Sequence, residues 1–192
     1  MTEHLKYIAG RFFPGHRVEA IAPYGTGHIN DTYRLVLEGA PVYLLQRINQ
    51  QVFRQPETVM ANIQTVYRHL ARFSELDCLL QPLPATDGRP FYRDARGEVW
   101  RAFPFFAGTF SPERAEDEAV ACEAARVIGG FLNRLLTLDP ATIGVTIPDF
   151  HNSPKRLRRF DEVVKADPAG RSREAQDAID CLREHQSLFE RV

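Results

Sequence analysis

Three strand-like runs joined by turns too short for a crossover open this chain and confine its first fifty residues to an antiparallel meander. Val18–Pro23 ends at the two-glycine turn Tyr24-Gly25-Thr26-Gly27. Ile29–Leu37 alternates, with Tyr33, Leu35 and Leu37 on one face and Thr32, Arg34 and Val36 on the other. The turn Glu38-Gly39-Ala40-Pro41 leads into a third run, Val42–Ile48. A parallel pairing would need a crossover of about a dozen residues or more, and none is available here.

A helix follows from Pro56 to about Phe73. Proline fits a first helical turn, Glu57 suits the helix dipole, and Val59, Ile63, Val66 and Leu70 form an apolar stripe. Two further strands are expected at Pro90–Arg93 and Glu98–Phe105, punctuated by Asp87-Gly88 and Arg96-Gly97. The composition then shifts. With Ser111 as N-cap and Pro112 as first residue, a helix carries the stripe Cys122, Ala125, Ile128, Phe131, Leu132 and Leu135. Helical stretches at Lys155–Ala166 and Arg173–Phe189 complete the chain. The fold class is α+β: an antiparallel sheet of about five strands with one helix in residues 1–107, then a helical part in residues 108–192.

Charge narrows the function. Lys plus Arg number 24 against 25 Asp plus Glu, a balance that argues against a nucleic-acid partner. No apolar run reaches the roughly 18 residues of a membrane span. Glu3, His4, Lys6 and Arg11 break up any secretory signal. Cys78, Cys122 and Cys181 lie far apart without metal-ligand spacing, which suits reduced thiols in a cytoplasmic protein and small buried hydrophobes in the fold.

Three features carry chemistry. The glycines of Gly25-Thr26-Gly27 let backbone N–H groups approach phosphate oxygens, because no Cβ intervenes. A dinucleotide fingerprint would open into a helix, whereas this loop opens into a strand, as the phosphate-covering loop of kinase-like folds does. Taken alone, the glycines fit an ordinary hairpin turn better. Arg47 stands where such folds place a phosphate-reaching cation, and is equally readable as a solvated strand-end arginine. Glu57 is either its acidic partner or a dipole-complementing residue. Beyond Pro104, Phe105 and Phe106 offer an apolar slot at the lobe boundary, while Phe103 reads as core. Asp149, His151 and Asn152 read as a loop cap, and Lys155–Arg159 as a solvated basic face.

Four segments together resemble the N-acetylhexosamine 1-kinases of the aminoglycoside phosphotransferase and choline kinase superfamily. They are Gly-Thr-Gly-His-Ile-Asn-Asp-Thr-Tyr (25–33), Leu-Gln-Arg-Ile-Asn (45–49), Val-Phe (52–53) with Pro-Glu-Thr-Val-Met-Ala-Asn-Ile (56–63), and Ile-Pro-Asp-Phe-His-Asn-Ser-Pro-Lys-Arg-Leu (147–157). The resemblance implies a protein-kinase-like nucleotide lobe, ATP and Mg²⁺ as cofactors, and phosphorylation of a small hydroxyl compound, an N-acetylhexosamine. It implies nucleotide contacts from Gly25, Thr26, Gly27, His28, Asn30, Arg47, Phe105 and Phe106, a hinge at about Phe105 to Ala107, and a sugar-facing place for His28.

One departure is large. The family's chemistry needs an Asp in a His-x-Asp-x-x-x-x-Asn setting and a later Asp for the metal. None of the six histidines is followed two residues on by Asp, and no Asp-x-Asp pair occurs. No catalytic residue and no metal ligand is therefore assigned. The expectation is the N-terminal part of a sugar kinase, inactive by itself, with a non-catalytic nucleotide-binding or interaction module as the rival. The stripes bearing Ile128, Phe131, Leu135, Leu182 and Phe189 are expected to drive self-association.

Overall fold

The computed structural model describes residues 2–73, 80–109 and 114–189. Five strands, β1 (Val18–Pro23), β2 (Asp31–Leu37), β3 (Val42–Ile48), β4 (Tyr92–Arg93) and β5 (Val99–Pro104), form one sheet in the order β1-β2-β3-β5-β4. Every neighbouring pair is antiparallel. The expected sheet is therefore present, with shorter ends. Ile29 and Asn30 stay in the loop before β2. Phe105 lies just past β5, although its backbone N–H still donates to the Val42 carbonyl at 3.2 Å.

The sheet has two unlike faces, and their separation positions everything that follows. An N-terminal helix that the sequence reading did not anticipate, α1 (Thr2–Gly10), lays Leu5, Ile8 and Ala9 on one face. There they pack with Leu35, Leu37, Leu45, Trp100 and Ala102. The helix α2 (Pro56–Leu70) packs Met60 on the other face against Ile48, Val99 and Phe91. Because side chains alternate along a strand, Arg47 shares the α1 face with Leu45, whereas Leu44 and Gln46 share the α2 face with Ile48. Along β5, Arg101 and Phe103 follow Val99 onto the α2 face.

The next helix, α3 (Glu118–Leu135), starts later than expected. Residues 114–117 are not helical, and the side chain of Asp117 caps the helix by accepting from the Val120 N–H at 2.8 Å. Ser111 and Pro112, the expected cap and first residue, lie outside the described residues. No residue of α3 is buried: Ile128 and Leu132 of its apolar stripe are exposed, while Phe131 lines an apolar groove with Ile63, Val66 and Leu70 of α2. Buried His69 at the end of α2 meets the Arg134 carbonyl of α3 at 2.8 Å. Asn62 of α2 both donates to the Gly144 carbonyl (2.8 Å) and accepts from its N–H (2.9 Å).

The chain divides into two compact units, residues 1–146 and 147–192. Contacts between α2 and α3 keep the first unit together past the lobe boundary expected at 107/108. The second unit holds α4 (Ser153–Ala166), α5 (Gln176–Glu184) and α6 (Gln186–Phe189), with Leu157 and Ile179 buried. Asn152 caps α4 by accepting from the Lys155 N–H at 2.9 Å, as the sequence suggested. The single helix expected over Arg173–Phe189 is instead broken at His185, whose ring Nδ1 lies 2.8 Å from the Cys181 carbonyl. Cys122 and Cys181 are exposed, which corrects their reading as buried hydrophobes: α3 buries nothing, and α5 buries only Ile179. Cys78 lies outside the described residues.

Candidate functional site

The hairpin between β1 and β2 closes where the Tyr24 N–H donates to the Thr32 carbonyl at 2.9 Å, leaving residues 25–30 as the loop. Gly25 has φ of +81°, a conformation that requires glycine. Gly27 does not, and a Cβ built on it would meet no atom within 4 Å. Thr26 and His28 are exposed beside them, and Asn30 is half-buried. The Asn30 Oδ1 accepts from the Asn49 N–H at 2.9 Å and so ties the loop to the chain after β3.

Arg47 stands opposite Asp31 in the β2–β3 register and donates from Nε to the Asp31 Oδ2 at 2.9 Å. A second carboxylate, Glu98, lies 3.6 Å from its Nη1. Burial alone would draw the Arg47 pKa down, but Asp31 and Glu98 outweigh it and push it up. Its acidic partners thus come from β2 and the turn before β5. Glu57 is engaged elsewhere, in an ion pair with Arg93. Arg47, His28, Asp31 and Glu98 line a polar cavity of about 320 Å³. A second cavity of about 420 Å³ shares Arg47 and Glu98 and reaches His4 and Trp100 under α1. The structure therefore gathers two of the sequence-predicted residues, His28 and Arg47, but on the α1 side.

The α2 face carries a different set, which the sequence reading passed over. Thr32, Gln46 and Arg101 are consecutive partners across β2, β3 and β5. The Gln46 Nε2 donates to the Thr32 Oγ1 at 2.7 Å. The Gln46 Oε1 accepts from the Arg101 Nε and Nη2 at 2.8 and 2.6 Å. Burial lowers the Arg101 pKa to about 10. The signal for this row was available: Gln46 and Arg101 are the polar residues in the alternation that places Ile48 and Val99 in the core.

Phe105 also turns to this side. Its ring meets Tyr24 edge-on at 5.3 Å between centroids, and the Arg34 guanidinium lies 5.5 Å from its centre. Phe106 is half-buried, and its carbonyl accepts from the Thr109 hydroxyl at 2.9 Å in the turn that closes the strand end. Among the described residues, no three His, Cys, Asp or Glu side chains converge as a metal site. No described helix is long and apolar enough to cross a membrane.

Known structures bear on this arrangement. No family model matches the chain. A spectinomycin phosphotransferase, APH(9)-Ia, in complex with ADP and spectinomycin, superposes with a TM-score of 0.57 at 13% identity over 100% of this chain and 58% of that one. A mutant aminoglycoside 2′-phosphotransferase IIIa in its GDP complex gives 0.57 at 13% identity, covering 98% and 59%. The GDP and kanamycin complex of APH(2″)-IIIa gives 0.54 at 14% identity, covering 93% and 57%. The fold is that of the kinase-like aminoglycoside phosphotransferases. The chain spans under two thirds of the length of each of these three proteins. The helix that follows β3, α2, lies on the face of the sheet that carries Gln46 and Arg101.

Proposed function

We propose that the chain is the nucleotide-binding part of a small-molecule kinase, holding ATP beneath the glycine loop on the α2 face of the sheet. The observation that carries this reading is the uncovered part of that face. Ala20, Ala22 and Arg34 are exposed there, next to the half-buried Thr32, Gln46 and Arg101, under a loop whose second glycine the fold itself does not require. A purine has an aromatic surface in Tyr24 and Phe105, and Phe106 stands at the hinge. The phosphates run toward Gly25, Thr26, Gly27 and the loop end at Asn30. Arg47, held by Asp31, fixes the root of the loop. The acceptor, a small hydroxyl compound of N-acetylhexosamine type with His28 facing it, rests on the sequence resemblance. Mg²⁺ enters with the nucleotide.

The chemistry of transfer is a separate matter. Phosphoryl transfer needs a positioned base and metal-held phosphates, and the sequence contains no His-x-Asp or Asp-x-Asp element to supply them. The chain is therefore expected to bind nucleotide without turning it over. Calorimetry with MgATP tests the first part, with saturable one-site binding expected and no detectable heat overturning it. Release of ADP in the presence of N-acetylglucosamine or N-acetylgalactosamine would overturn the second.

A further inference from the structure

We propose that Arg101 on β5, held by Gln46 on β3, is the cation that meets the nucleotide phosphates. This rests on the nucleotide reading above and replaces Arg47 in the role the sequence suggested for it. Three observations support it. The first is charge. Arg47, Arg89 and Arg93 each have a carboxylate partner. Among the described residues none lies within ion-pair distance of Arg101. Its Nε and Nη2 both point at one amide oxygen, its Nη1 meets the Met60 sulfur at 3.7 Å, a weak acceptor, and the guanidinium lies 5.2 Å from the centre of the Phe103 ring, so every partner it has is neutral.

The second is burial. Arg101 is half-buried against Met60 and Phe103. An arginine partly withdrawn from water without an anion is costly, and a guanidinium stays charged at neutral pH even with its pKa drawn down to about 10. Arg34, on the same face, is exposed, so having no carboxylate partner among the described residues carries no such cost. The third is position. Arg101 lies on the face bearing α2, in the row that begins at the loop: Tyr24 bonds Thr32, and Thr32 leads through Gln46 to Arg101. A planar fork that a neutral amide orients without neutralising is matched to an anion with several oxygens, such as a phosphate. Arg47 faces two carboxylates that would repel one.

The test compares MgATP with adenosine, which lacks phosphates, by calorimetry on the full 192-residue chain. Arg101→Met removes the charge. Gln46→Glu keeps the side chain's size and gives the guanidinium a carboxylate, neutralising it in place while holding the row together. Both variants are expected to bind MgATP about tenfold or more weakly, the effect of one charge-assisted hydrogen bond, with adenosine affinity within about twofold of wild type. Gln46→Glu is expected to melt no lower than wild type, so it decides the matter if Arg101→Met does not fold. Wild-type MgATP affinity in Gln46→Glu, or an equal loss of MgATP and adenosine, would overturn the assignment. So would a loss of MgATP affinity confined to Arg47→Met, with Arg101→Met and Gln46→Glu both at wild-type affinity. A wild-type chain that binds neither ligand would instead refute the nucleotide reading itself.

Discussion

Asp94 shows how much one buried carboxylate organises at the residue scale. It is only 6% exposed. Its Oδ1 accepts from the Arg96 and Glu98 N–H groups, both at 2.9 Å, and its Oδ2 accepts from the Trp100 indole at 3.1 Å. The His4 Nε2 lies 3.3 Å away, joining α1 to the β4–β5 turn. Burial pushes the Asp94 pKa up, but these hydrogen bonds and His4 outweigh it and hold it below the ordinary value. A folded-state pKa below the unfolded one stabilises the fold above the unfolded pKa of about 3.9, and that stability is lost as pH falls through the folded value. Asp94→Asn is therefore expected to flatten the acid side of the melting-temperature profile below about pH 4. Asp94→Ala is expected to cost about 2–3 kcal/mol at pH 7 by leaving buried donors without acceptors. Thermal melts from pH 2.5 to 7 check both, and an unchanged acid slope in Asp94→Asn would contradict the assignment. At this scale the sequence was half legible. The cation on β3 could be read at Arg47, but not the face it takes, because one step along a strand reverses the side. Only the cross-strand register, with Gln46 opposite Arg101, reveals which polar residues share the α2 face.

Legibility rises among the secondary-structure elements. The bounds of β1, β3 and the start of α2 were readable from turn glycines and from Pro56, whose effects are local. The N-terminal helix α1 was missed although Leu5, Ile8 and Ala9 carry helical spacing, since nine residues without a recognisable cap give a weak local signal. The start of α3 was misplaced because Ser111-Pro112 has the form of a helix opening, whereas the bond from the Val120 N–H to the Asp117 side chain sets the cap at Asp117. The link between α2 and residue 144 had no sequence signal at all. A Cβ at Gly144 would come within 2.5 Å of the Thr58 Cγ2, so this loop approaches α2 more closely than any other side chain allows. Gly144→Ala is expected to destabilise the chain by about 1–3 kcal/mol. Thr58→Ala removes the clashing methyl, so the double variant is expected to recover most of that loss. Denaturant titration of the four-member cycle measures the coupling, and strict additivity would contradict the contact.

For the whole molecule, the sheet with α1 on one face and α2 on the other is a kinase-like scaffold on which the two faces have separate work. The α1 face is packed by α1 and tied by the Arg47–Asp31–Glu98 and Asp94–His4 pairs, and Arg47 and Glu98 line both of the cavities there. The α2 face leaves an open surface running from the glycine loop to Phe105. Sequence pattern gave the sheet and its class, because strands and turns are set by nearby residues. It did not give how little of the α3 stripe is buried, since periodicity reports an apolar side without saying what lies against it. The central claim is that nucleotide occupies the α2 face. The chain, at 21.9 kDa, is small enough for amide chemical-shift mapping during titration with MgATP. The shifts are expected to concentrate at Gly25–Asn30, Ala22, Leu44, Gln46, Arg101 and Phe105, with His4, Leu5 and Asp94 unmoved. Shifts centred on the cavities beneath α1, or none at saturating nucleotide, would contradict it.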